Sequence, residues 1–184
     1  MTDFLHPLNN QWITIGNNQN QFKNRKNFLS ENYNFNIYKK NKKNSPIKCG
    51  ALIFDEDLKH IVLVQNKYSA SKGEEKWGLP KGHRENNETY ATCARREAEE
   101  ETGLILNIKD SMPKIKINNT YYFPIVLKTM NKLIPKDNNE ILCARWFSIK
   151  NWKDVPTNRE TQIFFRRKLQ EAKQIINYLN KEKT

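Results

Sequence analysis

One stretch constrains this chain more than any other. Residues 82–104 read GHRENNETYATCARREAEEETGL, so that Gly82 is followed at set offsets by Glu88, Arg96-Glu97, Glu100-Glu101 and Gly103. Seven residue types in register arise by chance at on the order of 10⁻⁹ per starting position. Between Asn87 and Gly103 there is no Pro or Gly, and Ala, Arg and Glu predominate, so the spacing predicts a helix. Asn87 is the expected N-cap and Gly103 the expected residue past the last turn. Ala91, Ala94 and Ala98, at i, i+3 and i+7, form a small apolar face suited to close packing on a sheet. Glu97, Glu100 and Glu101 gather on one side, where like charges repel by a few tenths of a kcal/mol per pair. A hard divalent cation such as Mg²⁺ takes such carboxylate oxygens, and substrate phosphates can complete its octahedron. An isolated glutamate cluster is more often a solvated helix face. The glycine loop and Arg96 in register favour metal.

The same residues resemble the Nudix box, the signature of hydrolases that cut a diphosphate linkage in a nucleoside diphosphate joined to another moiety. The match is complete, with the small Ala98 at a position usually described as aliphatic. The resemblance implies that Glu97, Glu100 and Glu101 bind Mg²⁺ or Mn²⁺, with the backbone carbonyl of Gly82 as a further ligand. Metal would neutralise the diphosphate, polarise a phosphorus–oxygen bond and lower the pKa of an attacking water. Arg96 reads as the structural partner of Glu88, fixing the loop against the helix by a charge-assisted pair. Lys81 either touches phosphate or is an ordinary exposed lysine. Nothing nearby in sequence orients His83 for catalysis.

The flanks narrow the resemblance. Trp77-Gly78-Leu79-Pro80-Lys81-Gly82 leads into the box, Cys93-Ala94 sits inside it, and Asn139-Glu140-Ile141 precedes Ala144-Arg145-Trp146-Phe147-Ser148-Ile149. Together these are similar to the Nudix domain of the mRNA-decapping catalytic subunit family. That resemblance implies hydrolysis of capped RNA to 7-methylguanosine diphosphate and a 5′-monophosphate RNA. It also makes Glu140 a candidate general base or additional metal contact; the alternative is a solvent-facing strand residue. Trp77 and Trp146 read as core or rim packing. The family's helical regulatory domain has no counterpart in the fewer than fifty residues before the core, and the Trp77–His83 entry also resembles that of dinucleoside tetraphosphate hydrolases. A dinucleoside polyphosphate or a diphosphoinositol polyphosphate is therefore the alternative substrate. A catalytically silent RNA-binding relative would be expected to lack box glutamates, and Glu97, Glu100 and Glu101 are all here.

The organisation expected is a basic, Asn-rich extension over 1–45 and one catalytic domain over 46–184, with ample chain for a core. Lys48–Phe54 and His60–Gln65 read as a hairpin, Leu104–Ile108, Tyr121–Leu127 and Ile141–Ile149 as further strands, and the chain from Arg159 as one long helix. The fold that the resemblance implies is an α/β/α sandwich with a mixed central sheet and a long C-terminal helix. Phe165, Leu169, Ala172, Ile176 and Leu179 make the apolar stripe of that helix, and Arg166, Arg167, Lys168 and Lys173 lie largely off it.

Charge is the second informative feature, at +12 with pI near 9.6. In residues 1–48, eight basic residues, among them Lys39, Lys40, Lys42 and Lys43, face only Asp3 and Glu31, so half the excess precedes the catalytic core. With the interleaved Phe22, Phe28, Tyr33, Phe35 and Tyr38, these lysines suit an RNA strand. Arg166 and Arg167 are the C-terminal candidates for RNA contact, against an ordinary solvated helix face. No apolar run is long enough to span a bilayer and the N-terminus lacks a basic-then-apolar signal, so no membrane partner is expected. Cys49, Cys93 and Cys143 are widely spaced without CxxC, as buried thiols in a reducing, cytoplasmic compartment would be.

Overall fold

The structure is a computed structural model that describes residues 46–73 and 75–181. Lys39, Lys40, Lys42, Lys43 and the aromatic residues among them lie outside the described residues.

Strand β1 (Lys48–Asp55) sets the frame. Alternation sends Cys49, Ala51 and Ile53 to one face and Leu52 and Phe54 to the other, and all five are fully buried. Such a strand needs cover on both sides. Along one edge it pairs in parallel with β6 (Thr120–Leu127), from Lys48↔Thr120 to Asp55↔Leu127. β5 (Ile115–Ile117) joins β6 as an antiparallel hairpin. On the opposite edge β1 meets β2 (His60–Asn66) at Phe54↔Ile61 and β4 (Lys81–His83) at Lys48–Gly50. β2 in turn carries β3 (Trp77–Gly78) and β7 (Ile141–Ser148), both antiparallel. The result is the expected mixed sheet, seven strands in all among the described residues. The segment from Trp77 to His83 bridges β2 to β1, and the cleft described below opens there.

Helix α2 (Tyr90–Thr102) covers one face, after α1 (Lys67–Ser71) at the end of β2. Ala91, Cys93, Ala94 and Ala98 of α2 are small enough to lie directly on Cys49, Ala51, Ile53 and Phe123. The opposite face is covered by the C-terminal helical run, completing the α/β/α sandwich. Each large apolar side chain buried there contributes about 1.5–3 kcal/mol. The run starts at Arg159, as periodicity predicts, but is not one regular helix. α3 (Arg159–Ile163) passes through a π-helical turn (Phe164–Lys168) into α4 (Leu169–Lys181). The widened turn faces both Phe164 and Phe165 inward, Phe164 against Phe54 and Phe165 stacked on Trp152 with ring centroids 5.0 Å apart. A strict 3.6-residue period admits only Phe165.

Two further expectations are corrected. Leu104–Ile108 is not a strand: Leu104, Leu106 and Ile108 are buried and Ile105 is exposed, but the segment has no ladder partner among the described residues. The period-two pattern records burial against the α2 layer rather than sheet pairing. The N-cap of α2 is Thr89, whose side chain accepts the N–H of Thr92, whereas Asn87 takes a left-handed conformation at φ 69°. Gly103 closes the helix as expected, at φ 77°. Among the described residues no helix is long and apolar enough to cross a membrane.

Candidate active site

The helix that carries the glutamates is locked to the loop before it by one arginine. Arg96 sends Nε to Glu88 Oε1 at 2.8 Å and Nη2 to Glu88 Oε2 at 3.0 Å, a forked charge-assisted pair. The same Nη2 reaches the carbonyl of His83 at 2.9 Å, and the Glu85 N–H donates to Glu88. The Arg96 guanidinium holds the Glu88 carboxyl down at about 2, while burial opposes it and the Glu85 N–H helps. Through Nη1, Arg96 also reaches Glu97 Oε1 at 2.8 Å and Glu100 Oε2 at 3.0 Å.

Two of the carboxylates are buried. Glu101 is 7% exposed and accepts the backbone N–H of Lys81 at 2.8 Å; burial pushes its pKa up to about 8. Glu97 is 8% exposed, and burial raises its pKa against the pull of Arg96. Glu100 is half-exposed. Gly82 is glycine for a steric reason, since a Cβ there would meet the Glu97 carboxylate at 2.0–2.1 Å.

A second wall comes from the loop before β7. The N–H groups of Lys136 and Asp137 donate to the Glu100 carbonyl at 2.8 and 2.9 Å, and Ile134 N–H donates to the Thr102 carbonyl at 3.0 Å. These bonds satisfy carbonyls that the end of α2 would otherwise leave open. Gly103 permits the approach, because a Cβ there would lie 2.2 Å from the Ile134 oxygen. Asp137 Oδ1 then accepts from the N–H groups of Asn139 and Glu140, and Asn66 Nδ2 donates to Glu140 Oε1 at 3.0 Å. Glu140 is exposed, in the turn ahead of β7 rather than within the strand.

These elements surround a cleft of about 930 Å³ that brings together Lys81, Gly82, Arg96, Glu97, Glu100, Glu101 and Glu140. His83 lies on the rim; partial desolvation, then the charges of Lys48 and Lys81, lower its pKa. Glu88 is not in the cleft lining and acts on it through Arg96. Arg166 lies in an adjoining cleft with Lys76, Lys153 and Gln162, and Arg167 is exposed and lines neither. Trp77 packs edge-on against Phe147 at 4.5 Å, and Trp146 donates Nε1–H to the Asn131 carbonyl, so both tryptophans serve packing.

Sequence reasoning passed over Asn66, Lys76, Asn158, Arg159 and Gln162 as site residues and counted Lys48 only among the basic residues of 1–48; all six also line the cleft. Only Asn158 had a legible signal, as the N-cap ahead of Arg159. Its side chain accepts the Thr161 N–H at 2.9 Å, and its backbone pairs with Trp77, which brings the start of α3 to the cleft.

The donor set fits a hard cation in kind: Gly82 carbonyl oxygen and three carboxylates are the ligands that Mg²⁺ or Mn²⁺ takes. The buried position of Glu97 and Glu101 points the same way, because a cation relieves the cost of ionising them. Among the described residues no three acidic, His or Cys side chains converge as a ready-made cage. Arg96 Nη1 holds one oxygen each of Glu97 and Glu100.

Residues 45–167 match the family model of the NUDIX domain, and with this sheet, this helix and this cleft the chain belongs to that family. It is 29% identical over 125 residues to Nudix hydrolase 7 of Arabidopsis thaliana, covering 64% of this chain and 44% of that protein. To the m7GpppN-mRNA hydrolase dcap-2 of Caenorhabditis elegans it is 32% identical over 121 residues, covering 62% of this chain and 14% of that protein. The chain thus spans less than half the length of these relatives. Among solved structures, the NUDIX domain of Shewanella oneidensis NrtR, complexed with ADP ribose, shares the fold at TM-score 0.56 and 15% identity, over 82% of this chain and 97% of that one. NUDIX hydrolases generally use divalent metals such as Mg²⁺ or Mn²⁺.

Proposed function

We propose that this chain is a metal-dependent pyrophosphohydrolase acting on capped RNA, releasing 7-methylguanosine diphosphate and an RNA with a 5′-monophosphate. The observation that carries hydrolysis is the meeting of buried Glu97 and Glu101 with Gly82 in an open cleft that Glu140 also lines. The observations that favour RNA are the net charge of +12 and the relation to an m7GpppN-mRNA hydrolase. A small substrate has little need of such a charge balance.

Gly82, Glu97, Glu100 and Glu101 would hold Mg²⁺ or Mn²⁺, which supplies charge neutralisation and an acidified water there. The chain's own groups do the rest. Lys81 supplies a side-chain charge for phosphate oxygens while its backbone N–H keeps Glu101 in place. Lys48, Lys76 and Arg159 line the same cleft and offset the diphosphate charge. Glu140, steadied by Asn66, accepts the proton of the attacking water. Arg96 keeps helix and loop in register so that these groups face one another.

The test is an assay with Mg²⁺ or Mn²⁺ on cap-labelled RNA beside free cap analogue, diadenosine tetraphosphate and a diphosphoinositol phosphate. Release of 7-methylguanosine diphosphate from long RNA supports the reading. Turnover of the small substrates alone replaces it with nucleotide or inositol phosphate hydrolysis.

A further inference from the structure

A second basic feature lies beside the start of the glutamate helix, and neither the metal-facing glutamates nor the C-terminal helix accounts for it. Tyr90, the first residue of α2, stacks on Tyr121 of β6 with ring centroids 4.8 Å apart and planes at 12°. Three cations surround the pair. Arg84 lies 5.5 Å from the Tyr90 centroid, Lys114 lies 5.8 Å from it and 5.9 Å from that of Phe123, and Lys116 lies 5.2 Å from that of Tyr121. All three cations are exposed and both tyrosines are half-buried. Among the described residues none of the three is ion-paired, although Arg84 donates to the Glu88 carbonyl. Of the acids around this patch, Asp110 accepts the Ala91 N–H and Glu88 is held by Arg96.

The patch has a defined position relative to the cleft. Lys116, Tyr121, Cys49 and Gly82 are successive partners across β5, β6, β1 and β4. Three strand spacings of about 4.8 Å put Lys116 roughly 14 Å from the glycine at the carboxylates. Arg84 directly follows β4, so the cations form a path from the sheet edge to the cleft rim. Cations held on aromatic faces are partly pre-ordered, so less side-chain freedom is lost when phosphate binds. Exposed cations interleaved with aromatic rings in a line suit a single-stranded nucleic acid, whose charges recur along its length.

We propose that Arg84, Lys114 and Lys116, seated on Tyr90 and Tyr121, form a track for the single-stranded RNA body of the substrate as it leaves the cleft. This rests on RNA being the ligand and not on cap hydrolysis. The full chain is titrated with a fluorescent single-stranded RNA at several salt concentrations, as wild type, as K114A/K116A and as R84A, with thermal midpoints as the control for folding. The double variant is expected to bind about tenfold more weakly, and the slope of log affinity against log salt to shrink by about 1.4, near 0.7 for each lost phosphate contact. Arg84→Ala is expected to reduce the slope by about half as much. Unchanged affinity and slope in both variants overturn the track. Displacement of the RNA by inositol hexakisphosphate at matching affinity also overturns it, because a compact polyanion needs no linear path. Patch-dependent RNA binding by a chain that leaves the cap intact upholds the track and removes decapping.

Discussion

Gly82 faces Glu97 so closely that a Cβ on the glycine would lie 2.0 Å from the Glu97 carboxylate oxygen Oε2. Backbone and carboxylate therefore approach each other only because position 82 lacks a side chain. Gly82→Ala is expected to push Glu97 aside, lowering turnover at least about 100-fold. Overpacking of about 1–3 kcal/mol would lower the thermal midpoint by roughly 3–10 °C. Turnover and melting of the one variant check both; wild-type turnover would remove Gly82 from the site.

Glu101 is a buried carboxyl whose pKa is pushed up to about 8. A folded-state value above the unfolded one means that ionisation opposes folding, so the metal-free protein loses stability as pH rises from about 4.5 to about 8. Glu101→Gln is expected to flatten that decline and to raise the metal-free midpoint at pH 8 by at least about 3 °C. The same variant should abolish turnover while keeping RNA affinity. Melting curves across pH and a turnover assay decide it, and full activity in the variant would end the metal assignment.

Arg96 and Glu88 have the opposite linkage. The Glu88 carboxyl lies at about 2, below its usual 4.5, so its contribution is complete above about pH 4.5 and is lost as pH falls towards 2. Allowing for solvent screening, the pair contributes ~1–2 kcal/mol. Arg96→Lys cannot reproduce the fork onto Glu88 together with the bonds to Glu97, Glu100 and the His83 carbonyl. It should lower the midpoint at pH 7 by roughly 3–6 °C and bring it nearer to wild type at pH 3. An equal deficit at both pH values would contradict the assignment.

Glu140 reaches the cleft from the turn ahead of β7, with Asn66 bonded to its carboxylate at 3.0 Å. If it takes the proton from water, Glu140→Gln reduces kcat by about 10²–10⁴ with little change in KM. Asn66→Ala leaves the carboxylate unsteadied and costs about tenfold in kcat. Steady-state kinetics decide it: a wild-type kcat in Glu140→Gln would assign the base elsewhere.

Residues 1–45 hold seven basic residues against Asp3 and Glu31, +5 of the net charge of +12. Removing residues 1–43 is expected to weaken long-RNA binding and to reduce its salt slope by at least about 2, leaving small-substrate turnover unaltered. An identical slope would show that these lysines do not meet RNA.

Much of this site is local, and local features are legible. Glu97, Glu100 and Glu101 share a helix side because of 3.6-residue geometry, Gly103 ends that helix through its left-handed backbone, and Arg96 reaches back over the first two turns of that helix to Glu88 just ahead of its N-cap. The α/β/α layering follows from β1, whose two buried faces demand two covers. The errors arise where one pattern admits two physical causes. Leu104–Ile108 alternates because alternate residues are buried, yet it pairs with no strand among the described residues. Phe164 is buried because a π-helical turn shifts the phase of its helix, and hydrophobic period carries no sign of that shift.

The glutamate helix and its packing layer can be read along the chain, because their spacing involves neighbours a few residues apart. That Asn66, Glu140, Lys48 and Arg159 line the cleft with it, and that Tyr90 meets Tyr121 beside Arg84 and Lys116, is visible only in the folded chain. Those meetings depend on strand register and on loops anchored to helix ends, which are set by the whole chain folding at once.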